Sequence, residues 1–230
     1  MASAVVLLSG GLDSSTALAL TVESGCEVIA LTFSYGQRHS RELDSAKKMA
    51  EHFRVKRHLI VELDIGAHIT SALTQTSIDI PISADEVSST ESIPSTYVPA
   101  RNIIFLSIAA AVAESADADK VVIAANSVDF SNYPDCTPQF VEAYQQVLDV
   151  GTKRGVDGRA VKVDAPLLRM SKADIVREAA RLGVPLEHTW SCYSGEEKAC
   201  GVCDSCRLRL KGFSEAGVED PVEYRGGDVA

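Results

Sequence analysis

The sequence lacks the features of a membrane or exported protein. A membrane helix needs about 18 consecutive apolar residues, and the longest candidate, Ile103 to Ala113, is interrupted by Ser107. A secretory signal would show a basic segment and a long apolar core, and the N-terminus has neither. We therefore expect a cytoplasmic protein. Its 230 residues, 46% of them hydrophobic, are enough for one domain with a sizeable core that needs no disulfides.

Basic residues are also scarce. Lys and Arg number 22 against 32 Asp and Glu, which gives a formal net charge of −10. Such a balance argues against a broad nucleic-acid surface, although a local basic patch would be compatible with it. Small-molecule substrates fit this composition better than nucleic acid.

Lysine is absent before Lys47, which excludes the ATP-binding P-loop Gly-x-x-x-x-Gly-Lys-[Ser/Thr] from the N-terminal part. What is present there is the turn Ser9-Gly10-Gly11-Leu12-Asp13-Ser14-Ser15, between an apolar run and a helix-like stretch. Two glycines let successive N–H groups point at one spot, and the helix that follows adds its positive dipole end. The pattern is typical of an anion cradle. Alternatively, Asp13 simply caps the helix.

Apolar runs alternate with helical stretches along the chain, which predicts an α/β fold: an open, mostly parallel five-stranded sheet flanked by helices. Helix signals are Leu43, Ala46, Ala50 and Phe53 on one face, Thr137 with Pro138, and Ser171 with Asp174 before Gly183. We assign 1–185 to the nucleotide-binding domain and 186–230 to a C-terminal helical, metal-binding segment packed on it. The predicted strands are Val5–Leu8, Val28–Phe33, His58–Leu63, Val121–Ala125 and Val161–Ala165.

Four of the six cysteines cluster near the C-terminus: Cys192, Cys200, Cys203 and Cys206. Four thiolates at such short spacings suit a structural, tetrahedral Zn²⁺ site. An iron–sulfur cluster is one alternative, although the Cys-Pro of ferredoxins is missing, and a redox or persulfide-carrying cysteine is another. Disulfides are disfavoured because nothing indicates export.

Two further regions are candidates for function. Residues 77–99 are rich in Ser, Thr, Pro and acids, and are interpreted either as a surface insertion or as a lid over the active site. After them, Arg101 begins a helix for which Asn102 is a plausible cap; its guanidinium could bind phosphate or carboxylate, or could be a solvated surface charge. Lys172, in the first turn of a predicted helix, could reach phosphates or solvent.

The motif Ser-Gly-Gly-x-Asp-Ser resembles the pyrophosphate loop of the N-type ATP pyrophosphatases, which have an adenine nucleotide alpha-hydrolase-like fold. Three more blocks narrow the resemblance to the 7-cyano-7-deazaguanine synthases over almost the whole chain. They are Tyr35-Gly36-Gln37-Arg38-His39, Val128 through Cys136, and Thr189-Trp190-Ser191-Cys192-Tyr193 with the later cysteines. The family usually has Gly where Ala100 stands, and often where Asn132 stands.

This resemblance implies an enzyme that turns 7-carboxy-7-deazaguanine, ammonia and ATP into the 7-nitrile, and a homodimer. It implies Mg²⁺ beside Asp13, catalytic roles for Asp13, Arg101 and Lys172, and substrate contacts from Arg101 and Asp129. A tRNA-thiolating relative and a zinc-stabilised nucleotide sensor are the alternative functions. The residues expected around ATP are Leu8, Ser9, Gly10, Gly11, Leu12, Asp13, Ser14, Ser15, Thr16, Ala17 and Leu18.

Overall fold

A computed structural model describes residues 2–37, 41–75, 77–81, 93–126 and 133–225. Its centre is a five-stranded parallel sheet with the order β3-β2-β1-β4-β5. All five predicted strands are present, with ends shifted by up to three residues, which confirms the predicted fold class. The strands are β1 (Ser3–Leu7), β2 (Glu27–Ser34), β3 (Arg57–Glu62), β4 (Lys120–Val122) and β5 (Lys162–Asp164).

Helices cover both faces of the sheet. Short 3₁₀ turns at Pro134–Cys136 and Leu186–His188 complete the regular structure of the described residues. The helices are α1 (Leu12–Glu23), α2 (Arg41–His52), α3 (Arg101–Ser115), α4 (Pro138–Gly151), α5 (Lys153–Val156), α6 (Lys172–Arg181) and α7 (Asp204–Ala216). None of the helices in this part of the chain is long and apolar enough to cross a membrane.

Alternate residues of the central strands supply two separate cores, because successive side chains of a strand point to opposite faces. On β1, Ala4 and Val6 face the layer of α1, α2 and α6, while Val5 and Leu7 face the layer of α3 and α4. Burial on both faces explains why the inner strands read as continuous apolar runs. Phe213 of α7 belongs to the first core, so the C-terminal segment packs against the same sheet layer.

The helix ends test the capping predictions. Thr137 accepts a hydrogen bond from the Phe140 N–H at 3.1 Å, with Pro138 as the first helical residue. Ser171 and Asp174 form a reciprocal capping box at the start of α6. Both predictions are confirmed.

Asn102 is not the cap of α3, and that prediction is wrong. The helix begins at Arg101, and Ala100 before it has left-handed backbone (φ 56°, ψ 18°). The Asn102 N–H donates to the Asp135 carboxylate at 3.1 Å, and the Asn102 side chain donates to the Asp135 carbonyl at 3.0 Å. A carboxylate 33 residues away in sequence therefore caps this helix, which local sequence rules cannot reveal.

Candidate functional site

A cleft of about 290 Å³ opens at the carboxyl ends of β1 and β4, where the strand order reverses direction. Open parallel sheets bind ligands at this switch point. Side chains come from the loop after β1, from the first turns of α1, α2, α3 and α6, and from the segment before the four clustered cysteines. The polar groups that line the cleft include Ser9, Asp13, Ser14, Glu42, Arg101 and Lys172.

The Ser9–Gly11 turn is held by hydrogen bonds among its own residues. The Ser9 N–H donates to Ser14 Oγ at 3.2 Å, and the two hydroxyl oxygens lie 3.0 Å apart. The hydroxyl of Ser14 also reaches the Gly11 carbonyl at 3.2 Å. These bonds pre-organise a turn directly before the N-terminus of α1, which is the arrangement that binds anionic oxygens in phosphate sites.

Gly10 is required by close packing as well as by conformation. Its φ is +82°, and a Cβ there would lie 2.4 Å from the Ala46 N and 2.7 Å from the Glu42 carbonyl oxygen. The first turns of α2 therefore press directly against the loop. On the other side, the Trp190 N–H donates to the Gly10 carbonyl at 3.0 Å. Any larger residue would separate α2 from the loop.

The residues expected around ATP differ in their access to the cleft. Ser9, Gly11, Leu12, Asp13 and Ser14 line the cleft, and Leu8 lines a second, inner cavity that adjoins the cleft. Ser15 is fully buried, and its hydroxyl has no hydrogen-bond partner among the described residues. The structure does not bring the last three into the cleft: the Thr16 hydroxyl donates to the Leu12 carbonyl at 2.8 Å, and Ala17 and Leu18 lie in the core.

Asp13 and Lys172 form an ion pair at the mouth of the turn. Lys172 Nζ lies 2.8 and 2.7 Å from the two carboxylate oxygens of Asp13. Gly212 on α7 makes this reach possible, because a Cβ there would lie 2.4 Å from Lys172 Cγ. The lysine that the loop itself lacks is thus supplied from α6, 159 residues later.

Arg101 lies inside the site and is not a solvated surface charge. It is partly buried and lines both the cleft and the adjoining inner cavity. Burial alone would lower the pKa of this guanidinium, but the neighbouring Tyr35, Cys136 and Tyr133 outweigh it and raise the pKa. The charge is therefore retained where it can meet an anionic group.

Glu42, on the first turn of α2, is the carboxylate that lines both the cleft and the inner cavity. Burial raises its pKa to about 7, and the positive charge of Arg101 opposes that rise. A carboxyl group with a pKa near neutrality can both take up and release a proton under physiological conditions.

The inner cavity continues from the cleft between β1, β2 and α3 and is mostly apolar and aromatic. Phe33 and Phe105 stack with ring centroids 4.0 Å apart, and Tyr35 meets Phe105 edge-on at 5.4 Å. Leu31 and Ile123 complete the wall. Such a lining suits a flat heterocycle, while the polar cleft suits phosphates.

Two predicted features fall outside the described residues. Asp129 lies in 127–132, and 11 of the 23 residues of the 77–99 segment, 82–92, also lie outside the described part. The described part of that segment does reach the site, because Pro94 and Thr96 line the cleft. The Thr96 hydroxyl lies 2.7 Å from the Tyr133 hydroxyl.

The four clustered cysteines form a group that could hold a metal ion. Their sulfurs all lie within 4.8 Å of one another, and those of Cys200 and Cys206 are 3.9 Å apart. Four sulfurs at about 2.3 Å from one ion in a tetrahedron stand about 3.8 Å apart, so the spacing fits a single ion. Hydrogen bonds from the thiols of Cys203 and Cys206, and from the Cys200 N–H at 3.2 Å, lower the pKa of Cys192.

Trp190 connects the cysteine cluster with the Ser9–Gly11 turn. Its indole N–H donates to the Cys192 carbonyl at 3.0 Å, while its backbone N–H holds Gly10. The Arg41 guanidinium lies 4.5 Å from the Trp190 ring centroid and donates to the Glu197 carbonyl at 2.8 Å. This segment therefore braces both the loop and the start of α2.

Sequence reasoning missed several residues that line or support the site. Glu42 and Gly212 sit in amphipathic helices, where a single residue carries no local signal of function. Tyr193 and Trp190 were recognised only as parts of a block, without a role. Their importance depends on which elements the fold brings together.

Comparison with known proteins identifies the family. A family model described as queuosine biosynthesis protein QueC matches residues 3–217. The chain belongs to the QueC family. It is therefore an enzyme with a role in queuosine biosynthesis, a ligase that forms carbon–nitrogen bonds.

One similar protein is "7-cyano-7-deazaguanine synthase 2" of Desulfitobacterium hafniense (strain Y51), 52% identical over 97% of this chain and 94% of the relative. The 7-cyano-7-deazaguanine synthase of Acetivibrio thermocellus is 52% identical over 97% of this chain and 98% of the relative. That of Thermoplasma acidophilum is 55% identical over 96% and 91%.

Proposed function

We propose that the enzyme converts 7-carboxy-7-deazaguanine, ammonia and ATP into 7-cyano-7-deazaguanine through adenylated intermediates. The observation that carries this proposal is the pre-organised Ser9–Gly11 turn, with the Asp13–Lys172 pair at its mouth, beside an aromatic cavity. The names of relatives about 50% identical over almost the whole chain support 7-cyano-7-deazaguanine as the product.

ATP would bind with its β and γ phosphates on the turn. The N–H groups of the turn and the hydroxyls of Ser9 and Ser14 would hold the pyrophosphate end, and Lys172 would add positive charge. The buried Ser15 hydroxyl is a further donor beside this loop. Asp13 would bind Mg²⁺, which supplies charge neutralisation between a carboxylate and phosphates when bound. The α-phosphorus is then left open to an oxygen nucleophile.

The chemistry requires activation of oxygen twice. A carboxylate is a poor electrophile because its negative charge repels nucleophiles and oxide is a poor leaving group. Transfer of AMP to the carboxylate corrects both defects, and ammonia then yields the amide. The amide oxygen must also leave to form a nitrile, so it is adenylated in a second round. Positioning and electrostatic stabilisation by Arg101 and Lys172 would supply much of the rate.

Arg101 would bind the carboxylate of the substrate, and the deazaguanine ring would lie near the aromatic wall. Asp129 is proposed to accept N–H bonds from the guanine-like edge, since a carboxylate matches that pair of donors. Reaction in the cytoplasm would provide ATP and keep the thiols reduced.

The cysteine cluster is proposed to hold one structural Zn²⁺, because four protein thiolates leave no open position for a substrate. A bound zinc ion would fix the segment that carries Trp190. A homodimer is also proposed: the edge strand β3 and the neighbouring helix α3 expose Ile60 (42%) and Ile103 (44%), and sheet edges are surfaces that proteins usually cover.

The test is product analysis. With the carboxylic acid, ammonia, ATP and Mg²⁺, we expect AMP and pyrophosphate together with the nitrile, and no release without the acid. ADP and orthophosphate as the only nucleotide products would contradict the proposal. Metal analysis with an absorbance scan distinguishes zinc from iron, and sedimentation measures the oligomeric state.

A further inference from the structure

Conversion of ammonia to a nitrile nitrogen removes all three of its protons. In the proposed reaction, which this inference rests on, one N–H proton leaves when the amide forms. A second leaves when the amide oxygen attacks phosphorus to give the O-adenylated imidate, and the third leaves when AMP is eliminated. Each step therefore needs a proton acceptor beside the reacting carbon.

Three carboxylates among the described residues line the cleft. Both oxygens of Asp13 accept hydrogen bonds from Lys172, so that carboxylate is held by an ammonium group at the phosphate end. Asp204 follows Cys203 directly and belongs to the neighbourhood of the cysteine cluster. Glu42 is the one of the three that also lines the inner cavity, together with Arg101.

The backbone holds Glu42 in this place. Its carbonyl oxygen lies against Gly10, so the first turn of α2 cannot move away from the loop without losing that packing. The preceding residue, Arg41, is fixed by its stacking on Trp190 and its bond to the Glu197 carbonyl. Glu42 thus lies between the Ser9–Gly11 turn and Arg101, the residue proposed to bind the substrate carboxylate.

We infer that Glu42 is a catalytic base that accepts the nitrogen-bound protons during amide and nitrile formation. The proton passes from nitrogen to the carboxylate oxygen and then to solvent through the open cleft, which regenerates the carboxylate for the next step.

The surroundings of Glu42 are consistent with this role. Burial raises its pKa to about 7, so at neutral pH it is ionised in part of the molecules and still basic enough to take a proton. Burial also raises the pKa values of Tyr35, Tyr133 and Tyr193, which keeps these phenols protonated as donors. The other charged or titratable groups that line the two cavities are Asp13, Arg101, Cys136, Lys172, Asp204 and Arg209.

The test compares two half-reactions in Glu42→Gln, which keeps the shape of the side chain but cannot accept a proton. The first half-reaction is exchange of labelled pyrophosphate into ATP, measured with 7-carboxy-7-deazaguanine and without ammonia. It needs no proton transfer, so its rate should stay within about threefold of that of the unmodified enzyme. Formation of the nitrile should fall at least about 100-fold, the usual contribution of a general base. Asp44→Asn, at an exposed site on the same helix, serves as the matched control.

A pH profile gives an independent readout. With the primary amide as substrate, which avoids the titration of ammonium, nitrile formation by the unmodified enzyme should rise through about pH 7. This rising limb of the pH profile should disappear in Glu42→Gln. Glu42→Asp should retain the limb, with a reduced rate of nitrile formation.

Equal loss of exchange and nitrile formation in Glu42→Gln would show a positioning role and overturn the inference, as would turnover close to that of Asp44→Asn. If Glu42→Gln does not fold, absence of the limb near pH 7 in the unmodified enzyme overturns it. Failure of the unmodified enzyme to exchange pyrophosphate would instead remove the proposed function itself.

Discussion

Ala100 offers a sharp test of how the fold positions Arg101. It has φ 56° directly before the first residue of α3, in the left-handed region that favours glycine. An L-residue loses about 1–2 kcal/mol there. We therefore predict that Ala100→Gly does not destabilise the protein, unlike glycine substitutions elsewhere in its helices.

The magnitude follows from three opposing effects. Relief of the backbone strain is offset by the greater freedom of glycine in the unfolded chain, about 0.4–1 kcal/mol. Loss of a partly buried methyl group removes roughly another 0.4 kcal/mol. The expected net change is a gain of about 0.5 kcal/mol. Ala143→Gly, at an exposed position within α4, should lower the free energy of unfolding by about 1 kcal/mol.

The assay is urea unfolding followed by circular dichroism and by the fluorescence of Trp190, the single tryptophan. The free energies of unfolding of the two variants should differ by about 1.5 kcal/mol, which corresponds to roughly 3–5 °C in melting temperature for a chain of this size. Equal destabilisation by both substitutions would refute the reasoning, because it would mean that the left-handed backbone at Ala100 carries no cost.

Four further predictions concern the site and the cysteine cluster. Lys172→Met should lower pyrophosphate exchange at least about 100-fold with an unchanged circular dichroism spectrum, and normal exchange would contradict the role of Lys172 in phosphate binding. Gly212→Ala should raise the KM for ATP, because the added methyl group displaces the side chain of Lys172. Cys200→Ser should lose the metal, measured by elemental analysis, and should unfold at a lower temperature; full metal content would exclude Cys200 as a ligand. Because the folded-state pKa of Glu42 is raised to about 7 from 4.5, the folded protein binds more protons between these values and loses stability as pH rises through them. Glu42→Gln should therefore raise the free energy of unfolding at pH 8 by up to about 3 kcal/mol and have a much smaller effect at pH 4; equal effects at both pH values would contradict the linkage.

Local patterns predicted the elements and part of the site correctly. Apolar-rich runs identified all five strands, and β1, which is buried on both faces, has no polar position from Ala4 to Leu7. The Ser171–Asp174 capping box and the Thr137 cap follow from side chains that act on backbone groups only three residues away. The spacing of the clustered cysteines was likewise sufficient to predict a group able to hold a metal ion.

The sequence by itself thus determined the α/β class, the Ser9–Gly11 turn and the cysteine cluster, because each depends on neighbours within a few residues. Tertiary structure alone decided which distant side chains meet. It paired Lys172 with Asp13, capped α3 with Asp135 instead of Asn102, and placed Glu42 in a cavity. The physical reason is that parallel strands bring their carboxyl ends to one edge, so the partners at that edge are set by strand order and helix packing.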